Sequence, residues 1–277
     1  MPLSWIGVSI AIIVLSVPAA AVQEAQTWES LAVEGRRALS SGRLDGAETA
    51  FVAALALAES NPSDATRLAS SLENLASVYE ATGRAPEAIA LYRRALPIWE
   101  TELGPRHRQV AASLNNLAVA IHLQGSYAEA EPLYLKCLAL WEDLLGKEHV
   151  TVASCASNLA ALYIADRRSA DAEPLLVRAI AVREKNLAAD DPAIAESIKL
   201  LASVLRAQKK FVAAERAYGR LAALTEKRFG PSHEALAQTL EQQAAVLREL
   251  NRVSEALPIE ERVKSIRAHS GLNDQAR

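Results

Sequence analysis

The chain has 277 residues, with 30 basic against 33 acidic side chains and a formal charge of −3. Alanine alone supplies 55 residues, while Phe, Trp and Tyr together give 13, a composition suited to close helix–helix contact rather than to a sheet. Glycine and proline total only 22, which excludes collagenous and low-complexity chains; the charge balance excludes a nucleic-acid binder that works by bulk charge, and two cysteines exclude a disulfide scaffold or an all-cysteine zinc site.

In chain order, the first expectation is a targeting segment. Residues 1–23 carry no charged side chain, and the densest apolar stretch, Ile6 to Val17, has the 12-residue length of a signal-peptide core and is short for a bilayer span. Pro18-Ala19-Ala20-Ala21 then places small residues before a cut after Ala21. The expected layout is a signal peptide over 1–21, a helical array over 22–269 and a tail over 270–277. The start, Met1-Pro2-Leu3-Ser4-Trp5, lacks Lys or Arg, so an uncleaved amino-terminal anchor tethering the protein to a membrane is the alternative. Both imply export, to periplasm or medium.

The remainder repeats at a spacing of 42. Ala76, Ala118, Ala160, Ala202 and Ala244 form one ladder, and Ala88, Ala130, Ala172, Ala214 and Ala256 another. Glu100, Glu142, Glu184 and Glu226 follow the same spacing, read as a solvated edge or a set of ion pairs between repeats. About six such units fill the array and leave no room in it for a separate catalytic domain.

Each unit reads as two helices. Leu114, Leu117, Ala118 and Ile121 make the apolar stripe of a first helix, and Gln124-Gly125 stops it. Ser126-Tyr127-Ala128-Glu129 has the spacing of a capping box opening a second helix, which turns Ala130, Tyr134, Cys137 and Leu138 inward and ends at Leu145-Gly146. Neither helix can bury its stripe alone, so the expected fold is all-α: a right-handed superhelical solenoid of antiparallel helix pairs.

The runs Val110-Ala111-x-Ser113-Leu114-Asn115-Asn116-Leu117-Ala118, Gly125-x-Tyr127-x-Glu129-Ala130-Glu131-Pro132-Leu133-Tyr134 and Leu145-Gly146-x-x-His149 resemble the 42-residue tetratricopeptide repeats of kinesin light chain. The resemblance covers residues 65–269 well and 27–64 more loosely, and the Asn-Leu-Ala core decays to Leu200-Leu201-Ala202 and Gln242-Gln243-Ala244. It implies a concave surface, lined by first helices, that binds an extended peptide. On that basis Asn74, Asn116 and Asn158 would hold a peptide backbone, joined by Asn115 and His122, while Lys199, Arg206 and Arg248 would pair with acidic side chains. The alternative is that the asparagines bond only to neighbouring helices.

Catalytic chemistry finds little support. His107, His149 and His233 share one loop position with Asp191, which suits a residue capping the first helix and places the imidazoles too far apart for one metal. The chain contains no phosphate-cradling Gly-rich loop and no glycine-flanked serine elbow. The functional expectation is therefore a non-enzymatic scaffold for a protein or peptide partner, without metal or cofactor. A structural subunit of an envelope or secretion assembly is the alternative, and an enzyme is the least supported reading. Cys137 and Cys155 each lie nine residues from Gly146, at equal height on adjacent helices; a disulfide between them is one expectation and two buried free thiols the other.

Overall fold

The structure is a computed structural model that describes residues 27–61 and 63–274, with side chains to 268. The expected signal segment lies outside the described residues. Within them stand twelve helices and no strand: α1 (Trp28–Ser40), α2 (Leu44–Ser60), α3 (Ala65–Ala81), α4 (Ala85–Leu103), α5 (Arg108–Leu123), α6 (Tyr127–Leu145), α7 (Val150–Ala165), α8 (Ser169–Asn186), α9 (Pro192–Ala207), α10 (Phe211–Phe229), α11 (Glu234–Glu249) and α12 (Val253–Asp274). Each helix packs against its sequence neighbours, giving six stacked hairpins in an all-α repeat solenoid. The last helix continues to Asp274, past the boundary expected at 269.

The alanine ladders are the contact surfaces. Ala76, Ala118, Ala160 and Ala202 are fully buried on the odd-numbered helices, and Ala88, Ala130, Ala172, Ala214 and Ala256 on the even-numbered ones. A methyl group at these points lets one helix backbone approach the next; Leu114, Leu117, Ile121, Tyr134 and Leu138 fill the space on either side.

The two helix types start differently. Every odd-numbered helix has a side-chain cap: Thr27, Asp64, His107, His149, Asp191 and His233 each accept from a backbone N–H in the first turn. For His107, His149 and His233 the acceptor is Nδ1, at 3.1 Å from the N–H two residues on, and Asp191 does the same with Oδ1 at 2.8 Å. No described even-numbered helix from α2 to α10 has one. The capping box expected at Ser126 is accordingly not formed. The Ser126 N–H donates to Ile121 O at 3.2 Å, closing the preceding turn, and Glu129 turns away to pair with Arg93 of the repeat before.

That turn is left-handed in every copy. Gly42, Gly83 and Gly125 hold it with φ of +73°, +75° and +87°, and Arg167, Lys209 and Asn251 adopt +58° to +59° at the same position. For non-glycine residues this conformation costs roughly 1–2 kcal/mol, so the hairpin imposes the turn rather than the residue. Three members of the Glu ladder tie repeats together, Glu142 to Arg178 at 2.6 Å, Glu184 to Arg220, and Glu226 to Arg262 at 2.6 Å, while Glu100 is exposed with no ion pair among the described residues.

Ala118→Leu tests the packing. Added methylenes at a closed helix contact cost about 1–3 kcal/mol, so the variant should lose several degrees in melting temperature; an unchanged value would place the helix contact elsewhere.

Candidate interaction surface

The closest backbone approaches between non-consecutive described helices join odd-numbered ones, α1 with α3, α5 with α7 and α7 with α9, whereas even-numbered helices meet across repeats through long side chains such as Glu142 and Arg178. Helices on the inside of a curved stack lie closer than those outside, so the odd-numbered helices line the inner face.

The asparagines expected there divide into two kinds. Asn158 Nδ2 of α7 donates to Asn115 Oδ1 of α5 at 3.0 Å, so this pair ties two repeats together. The half-buried amides of Asn74 and Asn116 have no side-chain partner among the described residues and stay available on the inner face. His122, half-buried on α5, is held by neighbouring rings. It packs edge-on against Tyr127 and Tyr134, with ring centroids at 5.7 and 6.2 Å, and its Nδ1 lies 3.5 Å from the Tyr134 hydroxyl; burial lowers its pKa, favouring the neutral ring.

The expected free cations are engaged within the chain. Lys199 lies 3.5 Å from Glu196, Arg206 bonds Gln242, and Arg248 pairs with Glu260 at 2.5 Å. All three remain exposed, so a ligand anion would compete with weak surface contacts.

A feature missed in the sequence lies one layer deeper. Where consecutive odd-numbered helices flank an even-numbered one, a slot opens between repeats; at α4, α6, α8 and α10 position 99 and its equivalents at 42-residue spacing supply its contents, Trp99, Trp141, Arg183 and Thr225, while Arg267 on the terminal α12 is exposed. In the first such slot, burial raises the pKa of Glu73; donors from Ser113, Trp99 and Gln109 temper the shift. Only Gln109 Nε2 closes a well-formed hydrogen bond, 2.9 Å to Oε2, and Glu73 Oε1, Trp99 Nε1 and Ser113 Oγ are buried without a partner. In the third slot Arg183 is 7% exposed and donates to Ser157 Oγ at 3.0 Å, Ala193 O at 3.3 Å and Ser197 Oγ. Desolvation lowers its pKa, with Asp191 acting the other way. The fourth slot, at Thr225, is an open cavity of about 640 Å³. The recurrence of a large planar side chain at this position was the available signal.

Cys137 and Cys155 are free and buried with their Sγ atoms 2.9 Å apart, so the equal-height reading of the two helices holds while no bond joins them. The hydrogen bond to Cys137 and burial push the Cys155 thiol up, which slows its oxidation. Among the described residues no cluster of His, Cys, Asp and Glu could hold a metal ion, and no helix is long and apolar enough to cross a membrane.

Both buried groups can be tested directly. The folded chain holds the Glu73 proton more tightly than the unfolded one, so the stability linked to it is complete below the ordinary glutamate range and is lost as pH rises through the raised value. Glu73→Gln should therefore melt a few degrees above wild type at pH 7 and level with it near pH 4; a lower melting temperature at pH 7 would mean that the carboxylate is needed. Prolonged treatment with oxidised glutathione should bridge Cys137 and Cys155, dropping the intact mass by about 2 Da and raising the melting temperature, because a loop of this size contributes about 3 kcal/mol. Full alkylation of both thiols on unfolding after that treatment would exclude the bridge.

The tetratricopeptide repeat profile matches residues 35–101, 67–124, 109–185 and 192–268, most of the chain. The search of curated proteins found no match. Among solved structures, the fold is similar to the nearly identical TPR-like repeats of a Podosopora anserina protein assigned as a kinesin light chain, with TM-score 0.65, 25% identity, and 72% of this chain and 95% of that one covered. It is similar also to BtubC (BKLC) from P. vanneervenii, with TM-score 0.65, 20% identity and coverage of 89% and 93%. A Rap protein complexed with Competence and Sporulation Factor shares the fold with TM-score 0.58, 15% identity and coverage of 87% and 75%. Repeat spacing, stacked hairpins and the profile agree: the chain belongs to the tetratricopeptide repeat family, in its kinesin light chain-like form.

Proposed function

We propose that the protein is an exported, non-catalytic scaffold that holds an extended segment of a protein partner along the inner face of the odd-numbered helices. Tetratricopeptide arrays serve in general as protein-interaction scaffolds, and that much belongs to the family. The observation that supports the finer reading is the pair of unpartnered amides, Asn74 on α3 and Asn116 on α5, one repeat apart on the inner face. An amide that both donates and accepts can bridge to a peptide backbone without demanding a particular side chain. Preformed helices hold both amides in place before the ligand arrives, which lowers the ordering cost of binding. Export rests on the apolar run Ile6 to Val17 and the Pro18-Ala19-Ala20-Ala21 segment that follows.

Peptides selected from a random display library against the wild-type protein test the reading. Their affinities, measured by fluorescence anisotropy, should fall about tenfold or more in Asn74→Ala/Asn116→Ala, at about 0.5–1.5 kcal/mol per lost hydrogen bond. Helical signal and melting temperature should stay unchanged. Unchanged affinity in a folded variant would refute the amide clamp. Capture of folded partners only, with no peptide selected, would favour docking to a large assembly. Mass spectrometry of the exported protein should show a mature start at Val22.

A further inference from the structure

Cys137 on α6 and Cys155 on α7 face each other across the step from the third hairpin to the fourth. They are the only cysteines of the chain; at the neighbouring steps the corresponding pairs are Ala95 with Ser113 and Ala179 with Ser197. Of the five steps between consecutive hairpins, the one from α6 to α7 has the sparsest backbone packing. Its inner side is tied by the bond from Asn158 to Asn115. Its outer side is tied by part-exposed ion pairs, Glu131 with Arg168 at 2.7 Å and Glu142 with Arg178 at 2.6 Å. Between those ties lie the two sulfurs, buried and 2.9 Å apart.

We propose that this thiol pair is a redox switch for the array. Joined as a disulfide, it locks the third hairpin to the fourth; as two thiols, it leaves them free to shift. The oxidation state thereby sets the affinity for a ligand that crosses from α5 to α7. Both states fit the same space: a hydrogen bond from Cys155 to Cys137 closes the reduced pair, and a covalent bond needs the sulfurs to approach by less than about 1 Å. The oxidant is a disulfide, small or carried by a protein, of the kind an oxidising compartment maintains. One cysteine thiolate attacks it, giving a mixed disulfide and releasing the first thiol; the second cysteine then displaces the second thiol. Two S–H bonds and one external S–S bond break, one internal S–S bond forms, and the two protons pass to the released thiols. Burial keeps the oxidant out while the step is closed, so the reaction proceeds through openings of this sparsest step. The hydrogen bond to Cys137 and burial also hold the Cys155 proton, so the reduced state persists until such an opening. A locked step presents α5 and α7 at one fixed spacing, which lowers the ordering cost of a ligand lying over both. The control of binding rests on the inner-face reading, whereas the locking of the step stands without it.

The test uses the full chain, poised with oxidised or reduced glutathione and checked by intact mass. Its control is Cys137→Ala/Cys155→Ser, which borrows the residue pair of the neighbouring steps and so keeps the fold. Backbone hydrogen exchange in α6 and α7 should slow about tenfold or more on oxidation and recover on reduction, with α1 to α3 unchanged. Peptides selected by display on the oxidised wild type should bind the reduced protein about fivefold or more weakly. The control variant should bind them alike in both buffers. Equal exchange in the two states, or a bond that forms only after unfolding, overturns the switch. Slowed exchange with unchanged affinity overturns its control of binding. Peptides indifferent to Asn74→Ala/Asn116→Ala count against the inner-face reading alone, and the exchange measurement still decides the switch.

Discussion

Close approach of helices at alanine is the constraint on which this molecule depends. One alanine on each odd-numbered helix from α3 to α11 and one on each even-numbered helix from α4 to α12 recur at a 42-residue spacing, and almost all have no exposed surface. Where only a methyl group separates two backbones, dispersion contacts are dense and any larger side chain must displace a helix. Helix separation, hairpin angle and the curvature that brings odd-numbered helices together all descend from that spacing. The ion pairs between repeats, such as Glu142 with Arg178, lie at the surface of contacts already set and add little each.

A stack of this kind separates structural work from recognition. Alanine ladders and flanking leucines serve the hairpin and its neighbours, leaving the inner faces of the odd-numbered helices free to vary. The variation is visible: Asn115 and Asn158 satisfy each other, while Asn74 and Asn116 do not find such a partner. The caps follow the same division. Odd-numbered helices begin after an open loop and need a side chain to accept from the first turn, whereas even-numbered helices begin inside a tight left-handed turn whose backbone already does so.

The fold is legible in the sequence because its signal repeats. Periodic alanines, the Leu114–Ile121 stripe and the loop position shared by His107, His149, Asp191 and His233 each point to the element that the structure contains. The failures are local. Ser126 and Glu129 have the spacing of a capping box, but spacing cannot reveal that the Ser126 N–H is already taken or that Arg93 of another repeat claims the carboxylate. His122 sits at a groove-facing angle on its helical wheel, and the wheel does not reveal that two tyrosines of the same hairpin pack against it. The cations at 199, 206 and 248 look available in sequence because their partners stand on other turns or helices. The slot contents escape a search for residues that repeat, because their information lies in the one position where size changes from indole to hydroxyl.

Arg183 has a consequence beyond its own hydrogen bonds. The apolar core that begins at Ala69 reaches Leu176 of α8 and Val204 of α9, and a second cluster runs from Ile180 through α9 and α10 to Val246 of α11, with Leu201 packed against both. At that seam the slot is filled by a guanidinium bonded to serine hydroxyls and a carbonyl, where two earlier repeats place an indole. Oil-like packing is thus interrupted by a polar joint. The joint between α7 and α9 is therefore held by directed hydrogen bonds, where the joints at Trp99 and Trp141 rest on ring area, so its strength depends on three oxygens keeping their places.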